Sequence, residues 1–312
     1  MNILSYIDKQ ELRALTTADN WQAAYVVAVN VALVVAGFAL PALWHHPIAW
    51  ILASILLAGR ALGFAILMHD TAHLSFFTSR KVNQWMGKWT FGALPNVPYA
   101  AYRRGHLEHH RTAGTGADPD LAFVSGYPAT RASLARKFLR DISGINGIKG
   151  IIYQFQSTDR GALYPFFVMH GLIIAALWTL GSIQVYACWW LGQLFAYPLL
   201  LRLRVMGEHG GVPDHMDRDP RRSTATTLAG PIARLLIAPN FVNYHVEHHM
   251  AATVPGYKLP TLHKLLRARG YFDVAEYLAT SYWAVIRRCT ALNRNAAKRL
   301  TKGARGTLDT MR

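Results

Sequence analysis

Four apolar runs, nearly free of charge, restrict what this chain can fold into. Trp21–Trp44, Ala162–Leu180 and Ile183–Leu201 contain no Asp, Glu, Lys or Arg, and Pro47–Met68 contains only Arg60. Each run is long enough to cross a hydrocarbon core of about 30 Å, which takes about 20 helical residues. Backbone polar groups inside lipid must be satisfied within the segment, so such runs are read as helices. The linkers within each pair, His45-His46 and Gly181-Ser182, are very short. The reading is an all-α integral membrane protein with four spans, at about 21–44, 47–68, 162–180 and 183–201, arranged as two hairpins. Residues 1–20 form an N-terminal segment, 21–286 the membrane domain and 287–312 a basic tail.

Charge sets the expected orientation. The 312 residues carry 33 Lys and Arg and a formal net charge of +16. Nearly all of the cations fall between His69 and Gly161 or after Leu201, and neither short linker carries one. The positive-inside rule then puts both termini, the middle segment and the C-terminal segment on the cytoplasmic side of what would be a bacterial inner membrane. Cations that flank membrane spans without a nucleic-acid motif do not suggest a nucleic-acid binder. The polar, mixed-charge N-terminus does not read as a cleaved signal peptide. Cys188 and Cys289 are too few and too far apart for a disulfide framework or an iron–sulfur cluster. Arg60 is costly within a span, and a structural or a headgroup-binding role would account for it.

Eight histidines fall in three clusters, each beside a long apolar run: His69 and His73 in HDTAH, His106, His109 and His110 in HLEHH, and His245, His248 and His249 in HVEHH. Offsets of three and four share a helix face, so each cluster can aim its rings at a common point. Neutral imidazole ligates iron, zinc and copper. Eight rings are too many for one tetrahedral zinc and suit two metal ions. Asp70, Glu108 and Glu247 lie within the clusters, where they would accept hydrogen bonds from the far ring nitrogens of ligand histidines. Single histidines (His45, His46, His170, His215, His263) are more often capped or hydrogen-bonded than ligating. HDTAH has the histidine spacing of a zinc-protease helix but lacks its glutamate base, and a protease leaves the other six clustered histidines unexplained.

The ordered set HDTAH, HLEHH and HVEHH, with paired apolar runs before the first and third clusters, resembles the membrane-bound fatty acid desaturase and hydroxylase superfamily. The resemblance extends from about Trp21 to about Gly270. Asn243-Tyr244 before the third cluster and VPGYKLPTLHKLL after it look like bacterial acyl-lipid and sphingolipid desaturases.

The resemblance implies a non-haem di-iron centre on a cytoplasmic helical cap. It also implies a further ligand histidine between the fourth run and the third cluster. His209 in GEHGG holds that place, with His215 in a polar stretch as its competitor; Asn243 joins the candidates for hydrogen bonds around the metal. The implied reaction is dioxygen-dependent removal of two hydrogens from a lipid alkyl chain, driven by two external electrons. Return of oxygen to the carbon instead gives a hydroxylase or ketolase acting on a fatty, sphingoid or carotenoid substrate. A relative acting on a small amino-acid-derived metabolite is a further alternative, and a membrane metal-binding or transport protein is the non-enzymatic one. The chain has no cytochrome b5 motif, CxxC iron–sulfur pattern or dinucleotide loop, so a ferredoxin or cytochrome b5-like carrier with its reductase would supply electrons. Phe76, Phe77, Trp85 and Trp89 would line an acyl tunnel or sit at the membrane interface.

Overall fold

The computed structural model describes residues 3–156, 160–273 and 278–291. All of the basic tail beyond Ala291 lies outside the described residues. Among the described residues, sixteen α-helices account for most of the fold, and the strands are pairs of two-residue bridges, Ala129–Thr130 with Thr290–Ala291 and Thr226–Thr227 with Leu278–Ala279.

Helix α1 (Lys9–Thr16) opens with a reciprocal cap. The Asp8 carboxylate accepts from the Gln10 and Glu11 N–H groups, and Glu11 accepts from the Asp8 N–H. Helices α2 (Asn20–Leu43) and α3 (Pro47–Ala72) form the first hairpin. Pro47 starts α3, where its missing N–H costs nothing, and the His46 ring accepts the Ile48 N–H at 3.2 Å. The two helices have different surroundings: the apolar window of α2 is 22% buried and that of α3 is 72% buried. Helix α2 therefore presents Trp21, Tyr25, Val35 and Leu43 outward, while α3 is the central post.

After α3 come α4 (Arg80–Met86), which runs into a π-turn at Gly87–Phe91, then α5 (Tyr99–Thr112), α6 (Leu121–Val124), α7 (Arg131–Ile142) and α8 (Ile145–Phe155). Pro98 sits at the N-cap of α5. Helix α9 (Arg160–Thr179) contains the third apolar run.

The fourth run corrects the sequence reading. Residues 183–201 are not one helix but a 3₁₀ turn (Ile183–Tyr186), α10 (Ala187–Phe195) and the start of α11 (Tyr197–His209). Pro198 is the cause: it has no N–H to give the Leu194 carbonyl, so the helix breaks at Ala196. The freed carbonyl lies against Gly147 of α8, where a Cβ would come within 2.2 Å of it. Among the described residues, three helices are thus long and apolar enough to cross a membrane: α2, α3 and the Gly161–Thr179 part of α9.

Small residues let these helices approach closely, as expected where lipid removes the hydrophobic drive for helix association. Ala53, Ala58 and Ala61 of α3 are fully buried. Gly192 of α10 lies so near the Ser54 carbonyl that a Cβ would sit 2.4 Å from it.

Arg60 is buried, with its guanidinium donating to Asn30 Oδ1 of α2 at 2.9 Å and to the Leu235 carbonyl. It ties α2 and α3 to a later segment, which is the structural role. That segment includes α12 (Pro220–Ser223) and α13 (Pro231–Leu236), followed by α14 (His245–Met250), α15 (Leu259–Ala268) and α16 (Tyr282–Arg288). Between α13 and α14, Asn240 and Phe241 hold left-handed backbone (φ 55° and 66°). Asn240 offsets this strain: it donates to the Gly63 carbonyl and accepts from Asn30, both at 2.8 Å. The turn delivers α14 to the end of α3.

Candidate metal centre

Each histidine cluster lies on a short helical stretch beside the apolar helices. His69 is in the last turn of α3 and His73 is its C-cap. His106, His109 and His110 lie on one side of α5, and His245, His248 and His249 lie on α14. His209 is the last residue of α11.

The structure brings all nine together. Ligating nitrogens of His69, His73, His106, His110 and His248 lie within 4.8 Å of one another, as do those of His109, His209 and His249. His245 joins the second group, its Nε2 2.8 Å from His209 Nε2 and 3.1 Å from His249 Nε2. Other Nε2–Nε2 separations are 2.8 Å (His73–His106), 3.0 Å (His110–His248), 3.2 Å (His106–His110) and 3.3 Å (His109–His249).

These distances fit a shared cation. Two imidazole nitrogens, each about 2.1 Å from one metal ion at a right angle, lie about 3 Å apart. Without a cation the pairing is poor, because two neutral rings whose Nδ1 atoms are protonated face each other with lone pairs. His69 Nε2 is buried with no hydrogen-bond partner among the described residues, while its Nδ1 donates to Asp70 Oδ1 at 2.9 Å. An all-nitrogen donor set in two groups has the chemistry to hold two borderline metal ions such as iron. Burial, then the charge of the neighbouring rings, pushes His110 down to about 2, and the same causes hold His106 and His249 well below the usual histidine range. These three rings are therefore neutral at pH 7, the form that binds metal.

The carboxylates divide three ways. Asp70 also accepts the Gly256 N–H through Oδ2 at 3.1 Å, and a Cβ at Gly256 would sit 2.4 Å from that oxygen, which accounts for the glycine in VPGYK. Glu108 does not reach a histidine: it points outward and pairs with Arg111 at 2.5 Å. Glu247 is buried but turned to the far side of α14, where it accepts from Thr226 Oγ1 at 2.5 Å and from His263 Nδ1. Both acids stand two residues after a histidine, an offset that leaves the shared face of a helix. Asn243 likewise bonds no clustered ring; it donates to the Thr227 carbonyl at 2.9 Å.

Asp118 was missed in the sequence. It accepts from His109 Nδ1 at 2.8 Å, with Asp120 Oδ2 3.7 Å from the same nitrogen. The signal was the acidic GADPD stretch soon after the second cluster, which has no helical period to tie it to a ring.

The single histidines lie outside both groups. His215 Nε2 donates to the His209 carbonyl at 2.8 Å, and His170 bonds the Leu94 carbonyl and the Tyr186 hydroxyl. Phe76 is core, packed on Phe77 and Phe91, while Trp85 is exposed.

Comparison with known proteins agrees with this geometry. The fatty acid desaturase family model matches residues 45–281. The chain is 28% identical over 261 residues to a beta-carotene ketolase of Paracoccus sp., covering 80% of this chain and 95% of that one. It is 28% identical over 237 residues to a fatty acid desaturase of Bacillus subtilis, covering 68% and 66%. It is also 28% identical over 243 residues to the sphingolipid delta(4)-desaturase/C4-monooxygenase of Homo sapiens, covering 74% and 68%. With the match running from before the first histidine cluster to beyond the third, the chain belongs to the fatty acid desaturase family.

Proposed function

We propose that this protein is a dioxygen-dependent oxidoreductase that introduces a double bond into the alkyl chain of a lipid. One iron ion would be held by His69, His73, His106, His110 and His248, and a second by His109, His209, His245 and His249. The observation that carries this reading is the convergence of nine imidazoles from α3, α5, α11 and α14 into two groups. An alkyl C–H bond has no proton that a side chain can remove, and the bound iron pair supplies the oxidising power, with dioxygen and two external electrons.

The remaining work falls to the chain. Asp70 and Asp118 fix the Nδ1 protons of His69 and His109, so the Nε2 lone pairs face inward. Burial of the rings keeps bulk water from the reacting carbon. The fourth crossing in this reading is α10 with the start of α11, bent at Pro198, and the histidines sit on the cytoplasmic side. A ferredoxin or cytochrome b5-like carrier with its reductase delivers electrons, steered to the basic face in a salt-dependent manner.

Oxygen insertion is the second reading, favoured by the ketolase relative, whose length the chain almost wholly spans. Desaturation and insertion need the same ligands and differ in where the substrate carbon lies. Expression in a host without desaturases, followed by mass spectrometry of its lipids, separates them. Loss of two hydrogens without oxygen supports desaturation, gain of one oxygen (as a hydroxyl, or as a ketone with loss of two hydrogens) supports insertion, and an unchanged lipid profile from iron-loaded protein argues against both on lipids.

A further inference from the structure

Beside the histidines, between α5 and α11, lies a cavity of about 270 Å³. His106, His109, His209 and His245 line it, together with Arg204 and Glu208 of α11. We propose that this cavity binds the polar head of an amphiphilic substrate. The head carries an acceptor oxygen and an N–H or O–H donor on neighbouring carbons, and Arg204 and Glu208 hold it. The proposal rests on the oxidative reading above and adds the substrate class to it.

The ion pair is open. Arg204 Nε donates to Glu208 Oε1 at 2.7 Å, and the two side chains are only 15% and 5% exposed. Among the described residues, the Arg204 Nη groups and Glu208 Oε2 have no other hydrogen-bond partner. Arg202, two residues earlier, is the contrast. Its Nε and Nη2 donate to the two oxygens of Asp141 at 2.5 and 3.0 Å, and its Nη1 donates to the Tyr127 hydroxyl at 3.3 Å. One arginine is closed by the protein, and the other leaves donors at the cavity beside the histidines.

A hydrocarbon pressed against Arg204 and Glu208 would strip water from charged groups and return no hydrogen bonds, which is unfavourable. An oxygen acceptor satisfies the guanidinium, and a donor on the adjacent carbon satisfies Glu208 Oε2. Phe123 and Val205 also line a neighbouring cleft of about 360 Å³, together with Pro198, Leu201 and the closed Arg202–Asp141 pair. In this proposal the alkyl tail would run past Phe123 and Val205 toward Pro198 and Leu201 at the bend between α10 and α11.

The test is thermal-shift titration of the purified full-length chain in detergent with dodecane, dodecan-1-ol and 2-aminododecan-1-ol. The amino alcohol is expected to bind about tenfold or more tightly than dodecane, a factor in keeping with hydrogen bonds to charged groups. Arg204→Met and Glu208→Gln should each remove that preference. Because either variant can unsettle α11, Gly105→Leu is the second arm: Gly105 lines the cavity, and a Cβ there meets no atom within 4 Å. It should abolish amino-alcohol binding while iron content stays at the wild-type level. Equal shifts from all three probes, or an amino-alcohol preference that survives in Arg204→Met or Gly105→Leu, overturn the proposal. Iron analysis and lipid products test the oxidative reading separately, since probe binding does not depend on turnover.

Discussion

His110 Nε2 lies 3.0 Å from His248 Nε2, although 138 residues separate them in the chain. Their rings come from α5 and α14, and a cation between them would join the two helices. His110→Ala and His248→Ala should each reduce bound iron by more than the 10–100-fold typical of losing a residue that only orients a ligand. Chelation of wild-type protein should lower its Tm, because a metal bound only by the folded state stabilises it. Metal analysis of the purified variants is the check. Full iron occupancy in both would remove these rings from the centre.

Asp118 should matter where Glu108 does not. Asp118→Asn replaces the carboxylate that fixes His109 and is expected to weaken metal binding at the His109–His209–His249 group about 10–100-fold. Glu108→Gln, which loses only an outward pair with Arg111, should leave it unchanged. Competition with a chelator of known affinity compares them, and equal losses in both variants would contradict the assignment.

Asn240 combines two effects that substitution can separate. Asn240→Gly keeps the left-handed backbone and loses two hydrogen bonds, an expected cost of about 2 kcal/mol. Asn240→Ala adds a strain of about 1–2 kcal/mol. Reversible unfolding in mixed micelles should therefore rank wild type above Gly and Gly above Ala. A glycine variant less stable than the alanine variant would show that backbone strain is not what the side chain offsets.

Gly192→Val should loosen the contact of α10 with α3. The added Cβ would lie 2.4 Å from the Ser54 carbonyl, and backbone cannot move aside as a side-chain tip can. Overpacking of this kind costs about 1–3 kcal/mol. A lower Tm in detergent is the expected outcome. Gly181→Val, at a position where a Cβ meets nothing within 4 Å, isolates backbone strain (φ 67°) from crowding.

The N-terminal helix should loosen in acid. Arg269 donates to both oxygens of Glu11 at 2.6 and 2.7 Å, and this pairing, with the Asp8 N–H, lowers the Glu11 carboxyl to about 2. A depressed carboxyl stabilises the fold above its ordinary value of about 4.5, and that contribution disappears as pH falls toward 2. Protection of the α1 amides, taken as the intrinsic over the observed exchange rate, should fall between about pH 5 and about pH 2.5, in keeping with that window. Glu11→Gln should flatten this dependence.

Much of the candidate site was legible because its signal is local. Offsets of three and four put His106, His109 and His110 on one side of α5 whatever surrounds it, and the same holds for α14. Proximity in sequence misled for Glu108 and Glu247, which were expected to accept from the rings: each stands two residues after a histidine, an offset that leaves the shared face. What lies beyond the face is a different matter. Glu108 meets solvent and Arg111, whereas Glu247 meets Thr226 and His263, and nothing local distinguishes the two acids. Asp118 was hidden for a related reason: its role depends on a loop folding back onto α5.

The apolar runs, charge distribution and histidine spacing determined a helical chain suited to membrane and rich in metal-binding rings. They did so because helix formation, backbone satisfaction in lipid and face-sharing depend on residues within a few turns of each other. The meeting of the clusters was decided only in three dimensions. Buried Arg60 and Asn30, with half-buried Asn240, carry the turn before α14 to the end of α3. Such contacts join residues tens to hundreds of positions apart, and no local period records them.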